Sequence, residues 1–493
     1  MPDRTQWTDT EPDVAVVGAG PAGLAASTVL AGHGARVLVV DEQQRPGGQI
    51  YRQPPASFTA GGAPAGTGLA AGRRLLAAAD GAGVRWWPGT VAWGVFGGLD
   101  DFAAAEPPPD GRLRLATHGP GGTRLVHPRR LLLTAGAYDL PVPFPGWTLP
   151  GVLTAGGVQV FVKAQRLVPG RRFVLAGAHP LVLVVAAQLV AAGARVAEVA
   201  LAVRRPPARA ALAGLRAVPG NGDKLAEGVR ALATLRRARV PVRYGTVVTD
   251  ALPGADGTLG AVRLADLGDD GTPVPGSARE LPADVLALGY GFVPSVELAR
   301  QAGCPARYDA AGGGWVIEHD RWQATTVPGV SVAGEITGVA GAEVAAAEGR
   351  LAALGVLAEL GRLTPAAADR LARPVRRELR RRRRFAATLA ATFAPPAAAL
   401  AAIGTDETVL CRCEEVTVGT VRDALRGHPY LQTANAVKLF TRTGMGRCQG
   451  RSCQPALCAL VAAETGRDVA AVGSYTARPP VTPIPLTALS DPG

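Results

Sequence analysis

Cysteine is scarce and unevenly placed in this 493-residue chain: there are six, and only Cys304 precedes residue 400. A disulfide framework spread through a protein of this size is thereby excluded. Five cysteines gathered between Cys411 and Cys458 point instead to metal in a reducing compartment. No apolar run reaches membrane-spanning length, since the most apolar stretch, Leu181 to Ala192, suits a buried helix. The opening segment, Met1 to Pro12, is polar and lacks a secretory pattern, so a cytoplasmic protein without a membrane span is expected. The six histidines (His33, His118, His127, His179, His319 and His428) form no recognisable constellation, and no catalytic residue can be named from them. Acidic residues are almost missing from Arg376 to Arg384 (RRELRRRRR), which carries half of the net charge of +12. With no aromatic interleaving or recognition motif beside it, that run excludes nucleic-acid binding as the main reading. It reads as a solvated helix face or linker, with contact to an acidic partner protein as the alternative. Apolar content of 47% against 19% charged excludes wholesale disorder, and the length allows two to four domains.

What is present is organised around Asp13 to Glu42. Val14 to Val17 is a short β-branched run that predicts a buried strand. Gly18, Gly20 and Gly23 follow in G-x-G-x-x-G spacing, then a small-residue helix from about Pro21 to Ala31, then a second strand, Val37 to Val40. The first glycine permits the tight turn, the second lets backbone approach a pyrophosphate, and the third lets helix and strand pack closely. The helix that starts at Pro21, itself without an N–H, offers unpaired N–H groups to phosphate from Ala22 onward. Asp41 lies eighteen residues past Gly23, with Glu42 beside it, where a carboxylate can accept from an adenosine ribose. This end of the chain is expected to bind an adenine dinucleotide.

Arg45 to Arg52 (RPGGQIYR) reads as a Gly-rich turn leading into a helix, and it lacks the redox cysteine pair that flavin disulfide reductases carry near this place. Pro54 to Gly68 reads as loop, and Pro107 to Gly122 as a hairpin-like insertion. Leu131 to Ala137 (LLLTAGA) is an apolar strand ending on Thr134, Ala135 and Gly136. A second βαβ unit follows: strand Phe173 to Ala176, helix Leu181 to Ala192, strand Arg195 to Val203. Its turn keeps only Gly177 of the three glycines; His179 and Val182 stand where the others would be, and no acid follows at Ala200. A retained scaffold is the favoured reading, with a degenerate or differently bound nucleotide left open there; NAD(P) and FMN stay as alternative cofactors of the chain. Asp284 to Pro294 reads as one strand, and Val330 to Glu335 as another ending on Gly334 and Glu335 before a helix start. A strand ending in Gly-acid suits a flavin, whose ribityl hydroxyls the acid can receive.

Near the carboxyl end, Cys411 and Cys413 form a C-x-C pair, and Cys448 and Cys453 a C-x4-C pair 34 residues later. Four thiolates in two close pairs meet the demand of a [2Fe–2S] cluster. A structural zinc is the rival, less well served by this spacing than by two C-x2-C knuckles. Thr417 is placed to cap a helix after the first pair, and Gly444, Gly446 and Gly450 to bring N–H groups to sulfur. Cys304 and Cys458 read as buried small hydrophobes.

VGAGPAGLAA, DEQQRPGGQIYRQP, LLLTAGAYDLPVPFPGWTLPGV and CRCEEVT…GMGRCQGRSC together resemble one subunit class of multi-subunit amine dehydrogenases and oxidases, across nearly all of residues 11 to 470. That class includes the A subunit of opine oxidases, the B subunit of hydrogen cyanide synthase and the α subunits of proline and hydroxyproline dehydrogenases. The resemblance implies an α/β fold of the glutathione-reductase-like flavoprotein kind: two Rossmann-like dinucleotide-binding domains, the first split by the second, plus a small, mainly helical [2Fe–2S] domain of the bacterioferritin-associated-ferredoxin (BFD) type. The expected boundaries are 11–150 with 282–361 for the FAD domain, 151–281 for the inserted domain, 362–404 for an Arg/Ala-rich helical linker, 405–470 for the cluster domain and 471–493 for a Pro-rich extended arm. FAD would be held by Gly18, Gly20, Pro21, Ala22, Gly23, Asp41, Glu42, Gly48, Gln49, Arg52, Thr134, Ala135, Gly136, Gly334 and Glu335. The cluster would be held by Cys411, Cys413, Cys448 and Cys453. The implied work is electron relay for a partner subunit that carries its own FAD and oxidises an amine or amino acid, with a small ferredoxin-like subunit as a further partner. The alternatives are a stand-alone NAD(P)H-dependent flavin/iron–sulfur reductase, or a non-enzymatic redox or iron sensor.

Overall fold

Two five-stranded parallel sheets carry the architecture. The computed structural model describes residues 10–55, 68–97, 113–205 and 220–490. The first sheet has the order Val330–Val332, Arg130–Leu133, Val14–Val17, Val37–Asp41, Arg85–Pro88. Its central strands are buried on both faces, which is why their sequences run as unbroken Val and Leu rather than alternating. The helix Pro21–Gly32 covers one face and is itself crossed by the helix Ala342–Glu359. That crossing is intimate: a Cβ at Gly349 would stand 2.1 Å from the carbonyl oxygen of Ala22. The second sheet has the order Val242–Tyr244, Arg195–Leu201, Arg172–Gly177, Val285–Gly289, Val152–Thr154, all parallel. Two three-stranded antiparallel meanders extend the body, one over Val91–Val126 and one over Thr246–Pro282.

The expected strand Asp284 to Pro294 divides. Val285–Gly289 pairs with Arg172–Gly177 in the second sheet, and Phe292–Pro294 pairs antiparallel with Ala137–Asp139. The boundary expected at residue 282 therefore falls ahead of one strand of the second sheet, whose pairing runs through Gly289 and ends before Gly291. Among the described residues up to 55 no helix begins after the turn at Arg45 to Arg52: Gly47 and Gly48 take positive φ and the chain runs on as turns through Tyr51, and the next described element is the helix Gly68–Gly81. Most of the expected loop Pro54 to Gly68, and residues 107–112 of the expected hairpin-like insertion, lie outside the described residues. The remainder of that insertion is the tight hairpin Arg114–Gly119 to Gly122–Val126.

The Arg-rich run is a largely solvated helix face, with Arg377, Arg380, Arg381, Arg383 and Arg384 exposed, but it is also tied to the rest of the chain. It lies in the 28-residue helix Pro365–Thr392, started by Thr364, whose hydroxyl accepts from Ala367 N–H. Arg382 donates to the Asn221 side chain at 2.8 Å, and Arg383 to Glu348 at 2.7 Å. Glu378 accepts from Arg350 at 2.7 Å. Arginines of this helix therefore tie it to both dinucleotide-type domains. Nor does the tail hang free. Val481 N–H bonds to Trp93 O at 2.8 Å, and Arg451 donates to Val481 O at 2.8 Å. Among the described residues no helix is long and apolar enough to cross a membrane.

Candidate functional site

At the carboxyl edge of the first sheet the chain turns from Val17 into the helix at Pro21, and backbone is laid bare. Gly18 has φ +102°, and a Cβ there would stand 2.5 Å from Thr134 O. A Cβ at Gly23 would stand 1.9 Å from Gly18 O, so this glycine sets the helix-to-turn contact. Gly20 is different. The nearest atom to a Cβ placed there is the Gly48 Cα, at 3.9 Å, and the space above it is open. The Thr134 hydroxyl sits 2.8 Å from the carbonyl oxygens of both Val17 and Gly18, pinning the turn from the neighbouring strand. This is backbone that a side chain would block and a pyrophosphate fits.

Of the residues expected to hold the nucleotide, Gly23 lies beneath the turn and the others line one cavity of ≈ 2350 Å³. Asp41 is committed to the turn: its carboxylate accepts from Ala19 N–H at 2.5 Å and from Gln43 N–H at 2.6 Å. Burial nonetheless raises its pKa, the two backbone donors opposing. Glu42 beside it is exposed, with Gln43 Nε2 as donor at 3.2 Å. Gln49 and Arg52 pair at 2.7 Å on the rim. Glu335 is turned onto backbone: it accepts from Ala340 N–H at 3.1 Å and Gly341 N–H at 2.8 Å, holding the turn that leads into the helix Ala342–Glu359. Burial pushes its carboxyl up to about 7.

Glu348 is a site residue that the sequence does not announce. It is 1% exposed, and its carboxylate serves three donors: Gly334 N–H at 2.9 Å, the Thr337 hydroxyl at 2.8 Å and Arg383 at 2.7 Å. A glutamate directly after the alanine run Ala345 to Ala347 is the one available signal. Such a residue is rarely buried without partners.

At the second fingerprint His179 fills the turn. Its Nδ1 accepts from Leu181 N–H at 3.2 Å and its ring packs edge-on to Phe292 at 5.0 Å. Burial lowers its pKa to about 4, so it is neutral at pH 7. Val182 fits where a glycine would be usual because the glycine has moved across: a Cβ at Gly289 would stand 2.4 Å from the Val182 Cγ1.

The four cysteines meet two by two, Cys411 with Cys453 and Cys413 with Cys448. Two pairs are what a two-iron cluster asks for. Cys411 and Cys453 are buried, Cys448 half-buried and Cys413 exposed. The bond from Cys453, helped by Gly444 N–H at 3.4 Å, pulls the Cys411 thiol down to about 5, and Cys453 is pushed up in return. Thr417 caps its helix as expected, accepting from Thr420 N–H. Cys458 is buried and hydrogen-bonded to Gly473 O at 3.2 Å.

The cavity that starts at Gly18 continues past Gly136, Tyr138 and Glu297 to Cys448. A chain of contacts follows it. Ser295 N–H bonds to Gly136 O at 2.9 Å, the Ser295 hydroxyl to Glu297 at 3.0 Å, and Glu297 pairs with Arg451 at 3.5 Å in the cysteine loop. From the other side Trp147 Nε1 donates to Val409 O at 2.6 Å, and Arg412 lies over the Trp147 ring.

A family model described as pyridine nucleotide-disulphide oxidoreductase matches residues 12–349, and one described as BFD-like [2Fe-2S] binding domain matches residues 409–463. The A subunit of opine oxidase from Rhizobium meliloti (strain 1021) is 36% identical over 485 residues, 97% of this chain and 98% of that one. The HcnB subunit of hydrogen cyanide synthase from Pseudomonas aeruginosa is 34% identical over 492 residues, again 97% and 98% of the two chains. Among solved structures, L-proline dehydrogenase from P. horikoshii superposes with a TM-score of 0.66 at 18% identity, over 97% of this chain and 79% of that one, a likeness of fold.

Proposed function

We propose, from the premise that this chain belongs to the pyridine nucleotide-disulphide oxidoreductase family and carries a BFD-like [2Fe–2S] domain, that it is the electron-transfer subunit of a heteromeric enzyme oxidising an amino acid, opine or other secondary amine. The family's flavoprotein fold implies FAD, and the BFD-like domain implies the cluster. The observation that carries the reading is the single cavity joining the bare backbone at Gly20 to Cys448. When bound, a flavin accepts an electron pair and releases it singly, and a two-iron cluster takes one electron at a time.

The chain's own residues prepare for this. Gly18, Gly20 and Gly23, with the helix start at Pro21 and Ala22, would cradle the pyrophosphate. Asp41 would hold the turn while Glu42 stays free for the ribose. Gly48, Gln49 and Arg52 would close over one side, and Thr134, Ala135, Gly136, Gly334 and Glu335 would line the rest. Cys411, Cys413, Cys448 and Cys453 would ligate the irons, with Gly444 N–H donating to sulfur. The missing thiol pair after Gly48 means that no residue of this stretch competes for electrons as a disulfide.

Relatives across the whole length are named as subunits, so partner subunits are implied. We take the main partner to be an FAD-containing subunit that meets the amine, with a small ferredoxin-like subunit beside it, and the assembly to be cytoplasmic, where cluster thiols stay reduced. Tyr430, Leu439, Phe440 and Met445 stay exposed on the cluster domain that carries exposed Cys413, a composition suited to contact with another protein. The test is turnover. The purified chain alone should not oxidise any amine with a chemical acceptor, and should do so once joined to its partner; enzyme-like amine oxidation by the chain alone overturns the assignment.

A further inference from the structure

We propose that Tyr475 is a positioning residue of the cysteine site: its phenol donates a hydrogen bond to the Cys453 thiolate and, backed by the Lys438 ammonium, sets how readily that site accepts an electron. This rests on the reading of the four cysteines as ligands of a [2Fe–2S] cluster. Tyr475 lies beyond both cysteine pairs, in the stretch expected to begin an extended arm, yet it is 4% exposed. Its hydroxyl stands 3.9 Å from the Cys453 sulfur. Between a phenol and a thiol either could donate, but a metal-bound thiolate has no proton, so the phenol is the donor.

The site is built around this ring. A Cβ at Gly444 would stand 2.4 Å from Tyr475 Cε2, and one at Gly450 would stand 2.4 Å from the same ring edge. Both glycines belong to the loops that carry the second cysteine pair, and both take positive φ, 86° and 88°. Room for Tyr475 is thus written into those loops twice. The backbone on either side is fixed as firmly. Tyr475 N–H donates to Gln454 Oε1 at 3.0 Å, and Thr476 exchanges two hydrogen bonds with the Asn435 side chain. Arg300, on the helix Glu297–Gln301 of the first domain, donates to Tyr475 O at 2.8 Å. The ring is therefore held by both domains that border the cavity.

Lys438 completes the arrangement, its Nζ standing 4.7 Å from the ring centroid. A cation on the face of a phenol draws density from the ring and makes the hydroxyl a better donor. Uptake of one electron adds one negative charge to the iron–thiolate unit, with no atom transferred. A hydrogen bond to an acceptor that has gained charge is stronger, so the phenol favours the reduced state.

The test is a dithionite-poised redox titration of the full chain followed by electron paramagnetic resonance, with iron and acid-labile sulfide measured first. Tyr475→Phe keeps the ring between Gly444 and Gly450 and removes only the hydroxyl. Its reduction equilibrium should shift about tenfold toward the oxidised state, a fall of about 59 mV for a one-electron couple. Lys438→Gln should move the potential in the same direction by less. An unchanged potential in Tyr475→Phe, with its cluster in place, overturns the proposal. Should that variant fail to keep its cluster, Lys438→Gln decides, and no shift there overturns it. A parent chain that contains no iron overturns the reading of the cysteines instead, and metal analysis detects this before any titration.

Discussion

Replacing Glu348 by glutamine tests how the flavin-side loop is held. The carboxylate has a side-chain exposure of 2% and accepts from Gly334 N–H, the Thr337 hydroxyl and Arg383. Glutamine preserves volume, so no cavity confuses the result. Its one oxygen can serve the donors on one side only, and its NH2 group must then face the third, donor against donor. An orphaned buried donor costs about 1–3 kcal/mol, and removing one partner of a buried ion pair about 3–5 kcal/mol. The Arg383 side chain is 45% exposed and can turn to water, so no charge is left buried and the orphaned-donor range applies, about 1–3 kcal/mol. For a domain of this size that is a fall in Tm of roughly 2–12 °C. The assay is thermal unfolding of the flavin-loaded chain with flavin release followed by fluorescence, and both transitions should fall together because Gly334 borders the cavity. Arg383→Met should cost more, about 3–5 kcal/mol, since it leaves the buried Glu348 carboxylate with two neutral donors and no counter-charge, and the double variant should be no worse than Arg383→Met alone. A Glu348→Gln protein within about 0.5 kcal/mol of the parent, with full flavin retention, would refute the reasoning.

The glycines of the first turn should separate by role. Gly23→Val, with its Cβ 1.9 Å from Gly18 O, should yield no folded protein, whereas Gly20→Val should fold, by circular dichroism and a cooperative melt, yet purify without flavin. Burial holds the folded pKa of His179 near 4 against an ordinary 6.5. The unfolded chain therefore takes up this proton first on acidification, and stability should fall from about pH 6.5 to pH 4. His179→Asn, which can still accept from Leu181 N–H, should show a shallower decline in urea midpoint over that window. Since His179 fills the second phosphate turn, anaerobic NADH or NADPH should leave the flavin of the isolated chain oxidised over minutes. Bleaching within seconds would favour a stand-alone reductase.

Much of this architecture can be read from residue order alone, because glycines and β-branched runs act locally. Val14 to Val17, Gly18, Gly20 and Gly23 dictate a strand, a turn and a helix through contacts within a few residues. The same holds for Phe173 to Val203 and for Thr417 as a cap. What escapes such reading depends on partners far away in sequence. Nothing near Asp284 tells which sheet Val285–Gly289 will join; that follows from room beside Arg172–Gly177 and from Gly289 receiving Val182. The charge run at Arg376 to Arg384 suggests solvent, which most of its arginines meet, but not the contacts that Arg382 and Arg383 make with Asn221 and Glu348. Asp41 and Glu335 stand where expected, but their oxygens are taken up by N–H groups that only the folded turns present. Tyr475 is invisible for the same reason, since the glycines that receive it lie 31 and 25 residues earlier.

The most direct measurement is of what the freshly prepared chain carries: iron, acid-labile sulfide, zinc and flavin per polypeptide, with electron paramagnetic resonance before and after dithionite. Two irons and two sulfides with one FAD are expected, with no signal as isolated and the signal of a reduced [2Fe–2S] centre after dithionite. Stoichiometric zinc without sulfide, or a chain that takes up no FAD on reconstitution, would contradict it.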